Sequence, residues 1–154
     1  MNGLPGIVGS GMSETYEMLR ILKFVKKASL KFPSRTVDLP IEFAAFLSDL
    51  SAALDTYASS AKDDSAEFEY WDASNNAREK YRLAVVAYFD GQNSSLTSEY
   101  LTALLTKVEK KVAGGIAKAL KTNNGLSPSY FYYESTKFGT VFIEVDIALL
   151  SMYV

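Results

Sequence analysis

Apolar residues recur at spacings of three and four along most of this chain, and four stretches hold that period well enough to predict helices. The first runs from about Ser13 to Leu30, with Met18, Ile21, Leu22, Val25 and Ala28 on one apolar face and Lys23, Lys26 and Lys27 off it. Ser13 suits the N-cap, and Glu14 and Glu17 suit the positive end of the helix dipole. Lysines up to Lys31 suit the opposite end, and Pro33 stops the helix. The second follows Pro40, which sits near the first helical position, with Asp38 or Leu39 at the entry. It carries the cleanest stripe, Phe43, Phe46, Leu47, Leu50, Leu54, Tyr57, Ala58 and Ala61, while Asp49, Ser51, Asp55 and Ser59 face elsewhere. Asp64-x-x-Glu67 reads as a capping box opening the third, roughly from Ser65 to Phe89. Its inner face is expected to be Phe68, Trp71, Asn75, Arg78, Tyr81, Val85 and Tyr88, and Asp90-Gly91-Gln92-Asn93 ends it. Ser95 or Thr97 then caps a fourth helix reaching about Lys121, with Leu101, Leu104, Leu105, Val108, Val112, Ile116 and Ala119 or Leu120 as its stripe. Gly114 and Gly115 interrupt that stripe at a cost of about 1 kcal/mol each against alanine. Close helix–helix approach is the ordinary reason for such a pair, and a kink is the other.

After Asn123-Asn124-Gly125 the period changes. Tyr130 to Phe138 and Thr140 to Ile147 are rich in aromatic and β-branched residues, with a turn offered by Lys137-Phe138-Gly139-Thr140. A strand or hairpin over 128–148 is expected, with Tyr130 and Tyr132 on one face and Phe131 and Tyr133 on the other. Residues 3–11 hold four glycines and a proline, so 1–12 reads as a Gly-rich loop, ahead of helices over 13–122. The whole of 1–154 is expected to form a single helical domain. The predicted fold is mainly α, an antiparallel bundle of about four helices with a C-terminal aromatic β-strand or hairpin.

Composition removes several function classes. With 154 residues, 48% hydrophobic and 22% charged, the chain suits one globular domain rather than a disordered segment. A net charge of −2 gives no basic footprint for nucleic acid. The lysine groups at Lys23, Lys26, Lys27 and Lys31, and at Lys107, Lys110, Lys111, Lys118 and Lys121, read as solvated helix faces. The absence of cysteine and histidine removes disulfides, thiol nucleophiles, Ser-His pairs and the usual zinc ligand sets. No apolar run reaches the ~20 residues of a membrane span, and the opening residues lack the pattern of a signal peptide. A cytoplasmic protein without membrane or nucleic-acid partners is expected.

Candidate chemistry is correspondingly thin. The Gly3-x-x-Gly6-x-x-Gly9-x-Gly11 opening precedes a helix, yet it has neither a preceding strand nor Gly-Lys-Ser/Thr, so it reads as a plain loop rather than a phosphate cradle. Glycoside chemistry needs two carboxyl groups across a sugar bond. Glu14 with Glu17, Glu67 with Glu69, and Asp72 with Glu69 are the available pairs, and all read better as helix-surface charges. Trp71, Tyr70 and Tyr88 belong to a helix stripe where core packing is the ordinary role of an aromatic. Trp71, Tyr130 and Tyr132 remain as candidate sugar-contacting residues. No catalytic, cofactor-binding or metal-binding residue is expected.

The stretch Gly125-Leu126-Ser127-Pro128-Ser129-Tyr130-Phe131-Tyr132-Tyr133-Glu134 resembles a Gly-Leu-x-Pro-Thr-Tyr-Phe-x-Tyr-Glu segment of large bacterial proteins related to cellobiose phosphorylase. The opening Leu4-Pro5-Gly6-Ile7-Val8-Gly9-Ser10-Gly11-Met12-Ser13-Glu14-Thr15-Tyr16-Glu17 is similar to a second segment of that family. Asn76-x-Arg78-x-x-Tyr81-x-x-x-Val85 with Phe89-x-Gly91, and residues 108–120, add to the likeness in the same order. The resemblance implies a catalytic core built as an (α/α)₆ barrel that cleaves β-glucosidic bonds with phosphate and inverts the anomeric centre. One aspartate acts there as general acid, in an Asp-Trp-Asn-Asp-like stretch just before an Asn-Gly-Leu-Pro-Gly segment. This chain begins at Met1-Asn2-Gly3-Leu4-Pro5-Gly6, and none of its residues matches that aspartate. Beyond Phe138 the likeness stops. The expectation is a non-catalytic helical fragment resembling part of a carbohydrate phosphorylase-like enzyme. The alternative is a stand-alone helical interaction or oligomerisation module. An intact small carbohydrate enzyme is a third reading, which the missing aspartate argues against. In either of the first two, the apolar tail Val141 to Leu150 and the aromatics Tyr130 to Tyr133 are expected to bury against a second copy as a homodimer, with carbohydrate as the other candidate partner.

Overall fold

The computed structural model describes residues 9–128, 130–134 and 146–150, with side chains described within 11–128. Elements follow in the order β1 (Gly9–Gly11), α1 (Met12–Leu30), β2 (Thr36–Pro40), α2 (Ile41–Ser59), α3 (Asp64–Ala84), β3 (Asn93–Thr97), α4 (Ser98–Thr122), β4 (Tyr130–Glu134) and β5 (Asp146–Leu150). The fold is mainly α, as the three-and-four spacing predicts. Two compact units divide the chain, one of Met1–Ile21 with Val112–Val154 and the other of Leu22–Lys111.

In the first unit, Met12, Ile116 and Ala119 are buried together, and Leu19, Val112 and Leu120 pack against them. This contact joins the start of α1 to the last turns of α4. The unit's sheet has the order β1-β4-β5 with antiparallel pairing throughout. Gly9 faces Tyr132 and Gly11 faces Tyr130, while Tyr130 and Tyr132 face Leu150 and Ala148 on the other side. The C-terminal pair matches the expected hairpin, although β5 continues to Leu150, and the turn expected at 137–140 lies outside the described residues. The glycine-rich opening needs correcting where it is described. Gly9–Gly11 is a strand, because the glycine backbone still has donors and acceptors to offer β4. A local reading sees only glycines and no partner some 120 residues away.

In the second unit α2 and α3 form an antiparallel pair. Phe43 and Phe46 near the start of α2 meet Tyr81 near the end of α3, with ring centroids 5.7 and 5.5 Å apart. Tyr57 near the end of α2 meets Tyr70 near the start of α3 at 5.3 Å. Ala53, Leu54, Ala66, Ala77 and Leu104 are the buried apolar residues of this unit. Alanine where helices meet lets backbones approach but leaves little side-chain surface to bury. Among the described residues no large side chain is completely buried.

The stripes predicted for α2 and α4 face inward, with Leu54, Leu104, Ile116 and Ala119 their most buried members, except that Ala58 is exposed and Ala61 lies exposed beyond the end of α2. The other two helices are turned. On α1 the inward positions are Met12, Thr15, Leu19, Leu22, Lys26 and Ser29, whereas Met18, Ile21 and Val25 are exposed. The inner row keeps the three-and-four spacing but includes a threonine, a lysine and a serine, so hydropathy alone selects the wrong side. On α3 the inward row is Ala66, Tyr70, Ser74, Ala77 and Tyr81, whereas Trp71 and Arg78 face solvent, as does Tyr88 beyond the helix's end. The cap of α3 is also one residue earlier than expected. Asp63, not Asp64, accepts the hydrogen bond from the Ala66 amide at 2.9 Å. The helix ends at Ala84 rather than Phe89. Val85, Val86, Tyr88 and Phe89 are weak helix formers, and beyond Val85 they lie exposed, so no packing overrides that propensity.

A second sheet was not expected at all. β2 and β3 pair antiparallel, with Thr36 opposite Thr97 and Val37 opposite Leu96. Each runs directly into a helix, so Pro40 ends β2 and caps α2, and Thr97 ends β3 with its hydroxyl accepting from the Tyr100 amide at 3.2 Å. The junctions are tied across the ribbon. Ile41 N donates to the Gln92 carbonyl, and both the amide and the hydroxyl of buried Ser98 donate to the Arg35 carbonyl.

Candidate functional site

The densest group of ionisable and aromatic side chains lies in the second unit, where α2, α3 and α4 each contribute. Tyr57 sits on the inner face of α2, two turns after Leu50 and beside buried Leu54. Glu67 and Tyr70 stand in the first turns of α3, and Lys111 comes from α4. Because the true cap of α3 is Asp63, Glu67 is not held in a capping box and reaches inward. Its carboxylate accepts from the Tyr57 hydroxyl on one oxygen and pairs with the Lys111 ammonium on the other. The same ammonium lies 4.2 Å from the Tyr57 ring centroid and 4.7 Å from that of Tyr70. Lys62, in the left-handed backbone region at φ 63°, turns back over Tyr57 at 4.3 Å and donates to the Tyr57 carbonyl.

This cluster has the chemistry of a clasp. Burial, then the hydrogen bond to Glu67 and the charge of Glu67, push the Tyr57 phenol up to about 12. Burial and the same carboxylate raise Tyr70 as well. Both phenols stay protonated at neutral pH and cannot act as bases there. The Lys111 and Glu67 side chains are only 17% and 30% exposed, so their charges are set against each other rather than against solvent. Part-buried charge pairs hold position well when both partners are present and cost most when one is removed.

Further lysines expected on solvated faces also bridge helices. Lys26 of α1 pairs with Glu109 of α4, and Lys107 of α4 reaches Asp55 at 2.7 Å and Ser51 at 3.0 Å on α2. Lys80 and Asp49 pair across α2 and α3 at 2.8 Å near the surface. The reading of Lys26, Lys107 and Lys111 as solvated faces is therefore corrected: a long apolar stem lets a lysine lie along a helix contact and bring its charge to an acid.

The candidate sugar-contacting residues fall in different units. Trp71 belongs to the second unit, is 45% exposed, and stacks on Phe68 with centroids 5.9 Å apart. Tyr130 and Tyr132 belong to the first unit and occupy alternate positions of β4. Backbone pairing uses both edges of β4, and among the described residues β1 and β5 are the outer strands of that sheet. The carboxylate pairs weighed from the sequence separate into local contacts. Glu17 pairs with Arg20, Glu69 accepts from Ser65, and Asp72 accepts from Asn76. No group of three or more metal-ligating side chains occurs among the described residues, and no described helix is long and apolar enough to cross a membrane.

No protein-family model matches this chain, and a search of curated proteins finds no match.

Sequence reasoning named Glu67, Lys26 and Lys111 but missed the ion pairs they make between helices, and it did not single out Glu109. The signal for Lys26 was present in the Met12, Leu19, Leu22 row, which passes through it at the next step.

Proposed function

We propose that this chain acts by association rather than by catalysis: it is a helical piece resembling part of a carbohydrate phosphorylase-like protein, carries no reaction of its own, and packs against further protein. One observation carries the reading. Large apolar side chains on α1 and around the end of α3 face outward, among them Phe24, Leu83, Val86 and Tyr88, each more than 70% exposed, while alanines and ion pairs fill the helix contacts. Large apolar side chains this exposed mark surface that, where they adjoin one another, is ordinarily covered in the working state. The likeness around Tyr130-Phe131-Tyr132-Tyr133-Glu134 supplies the family, and inverting phosphorolysis of β-glucosides would be the parent activity. A cytoplasmic location belongs to the same proposal.

The test is release of glucose 1-phosphate from a panel of β-linked disaccharides and oligosaccharides. No release above background is expected. Turnover that follows the protein through purification would overturn the reading. Trp71 is the sole tryptophan, so its fluorescence separately reports contact with sugar, and cellobiose is expected to leave the emission unchanged.

The second reading, a stand-alone oligomerisation module, is favoured by the exposed apolar side chains Met18, Ile21, Phe24 and Val25 of α1.

A further inference from the structure

Residues 22–37, all within the second unit, hold five cations and no acid: Lys23, Lys26, Lys27, Lys31 and Arg35. Lys26 turns inward to Glu109. The other four are exposed, and among the described residues none of them is in an ion pair. The nearest acids in the sequence are engaged elsewhere. Glu17 pairs with Arg20, and Asp38 accepts from the Ser95 hydroxyl across the β2–β3 ribbon.

Lys23, Lys27 and Lys31 are four residues apart, so they form one stripe rising about 6 Å per step. The helical turn persists past Leu30, since Lys31 N donates to the Ala28 carbonyl and Phe32 N to that of Ser29. At about 100° per residue, Phe24 borders the stripe on one side and Leu30 on the other. Phe24 is 71% exposed, Leu30 59% and Phe32 53%. Arg35 carries the pattern around the turn, its guanidinium 5.1 Å from the Phe32 ring centroid. The helix dipole favours a cation in the last turn. It gives no reason for large apolar side chains to stand in water beside the cations.

The combination selects the partner. Unpaired cations with no acid among them call for an anionic surface. Exposed Phe and Leu beside them gain nothing from a purely polar polyanion. The outer side of a helix is also convex, whereas single-stranded nucleic acid is held in grooves. An anionic bilayer meets both demands: head groups take the ammoniums, and the apolar side chains enter the acyl boundary. Lysine suits this, because its stem lies along apolar surface while its charge stays in the head-group layer.

We propose that the end of α1 and the turn after it, from Lys23 to Arg35, form a docking surface for an anionic phospholipid bilayer. The absence of a spanning run, which argues against a membrane partner from the sequence, does not bear on surface attachment. The chain carries a net charge of −2, so attachment is local, oriented and weakened by salt. The inference goes beyond the association reading and does not rest on it.

The experiment is co-sedimentation of the full chain with sucrose-loaded vesicles at about 50 mM salt. The vesicles are pure phosphatidylcholine or contain about 30% phosphatidylserine. Half-binding is expected at about 1 mM accessible anionic lipid, with no capture by neutral vesicles and release at about 0.5 M salt. Replacing Lys23, Lys27 and Lys31 by Gln removes three charges at about fivefold each, so binding should weaken about a hundredfold. Replacing the same three by Arg should keep it, and circular dichroism checks that helix content is unchanged in both. Phe24→Ala should weaken binding about tenfold, because less apolar surface enters the bilayer. Lys80→Gln removes an exposed cation already paired with Asp49 and should change binding less than about twofold. Poly-uridine and poly-glutamate supply anionic charge without acyl chains. Capture of the chain by either, with vesicles left free, would overturn the proposal and assign the stripe to nucleic acid or to an acidic protein. Equal binding to neutral and anionic vesicles overturns it too, as does anionic binding indifferent to the Gln variant. A chain that binds no vesicle overturns it and leaves the non-catalytic reading standing, whereas turnover of a β-glucoside overturns that reading alone.

Discussion

Two contacts made by α4, five residues apart, hold by opposite chemistry. Around Ile116 the contact is apolar: Met12, Leu19, Val112, Ala119 and Leu120 surround it, with no charge among them. Around Lys111 it is polar and aromatic, with Glu67, Tyr57 and Tyr70 enclosing the ammonium. The first gains from any apolar atoms brought together and tolerates some change of shape. The second depends on each partner being present, because a part-buried charge that loses its counter-charge keeps its desolvation cost and loses the attraction that offset it. One helix thus carries a contact that is broad in its requirements and one that is narrow.

The sharpest way to break the apolar side is to charge it. Ile116→Asp places an unpaired carboxylate at a site 7% exposed, and several kcal/mol of stability should be lost. Thermal melting followed by circular dichroism measures it. A loss below about 1 kcal/mol would show that the site opens to water easily and that the cluster contributes little.

The polar side should answer less strongly but more selectively. Lys111→Met keeps the stem and removes the ammonium that pairs with the Glu67 carboxylate. A loss of about 2 kcal/mol is expected. Replacing Glu67 as well, by Gln, should cost less than the sum of the two single changes, and chemical denaturation of the four proteins closes the cycle. The surface pair Lys80–Asp49, with side chains 70% and 39% exposed, provides the contrast. Asp49→Ala should shift stability by no more than about 0.5 kcal/mol. Equal losses for Lys111→Met and Asp49→Ala would remove the distinction between a clasp and a surface pair.

The same contrast explains what the sequence shows and what it conceals. The stripes of α2 and α4 were legible because Leu54, Leu104 and Ile116 are apolar residues at the periodic positions, and burial follows hydropathy there. The inner faces of α1 and α3 were not, since Lys26, Tyr70 and Ser74 stand inward while Ile21 and Trp71 stand outward. The β2–β3 ribbon was hidden for a different reason: Thr36-Val37-Asp38-Leu39-Pro40 and Asn93-Ser94-Ser95-Leu96-Thr97 are short, and five residues of alternation look like any loop until the partner is known. Lys111 was counted correctly as a lysine and placed wrongly as solvated, because a charge near an acid on another helix leaves no trace in local spacing.

Alkaline pH probes the clasp without mutation. The Tyr57 phenol is raised from 10.0 to about 12 in the folded chain. A raised value means that the folded state favours the protonated phenol. Its contribution is therefore full below pH 10 and is lost as pH rises through about 12. Stability should fall across that window, and Tyr57→Phe should flatten the fall while leaving the neighbouring tyrosines to titrate. Ultraviolet absorbance of phenolate and melting at stepped pH give the two readouts. An unchanged alkaline profile in Tyr57→Phe would mean that Glu67 does not hold the hydroxyl.

The smallest expected effect lies between the two contacts, at Gly114 and Gly115. The pair was expected to mark a close helix–helix approach, and the structure corrects that expectation. Both glycines are exposed in the middle of α4, and a Cβ added to either meets no atom within 4 Å. Neither adopts the positive φ that would require glycine. With no steric reason left, the glycines only loosen the unfolded chain and weaken the helix between Lys111 and Ile116. Gly114→Ala and Gly115→Ala should each stabilise by about 0.5–1 kcal/mol, and the two gains should nearly add. Denaturant midpoints at constant m-value measure this. A loss of stability from either alanine would instead mean that α4 needs the backbone freedom of glycine at this point.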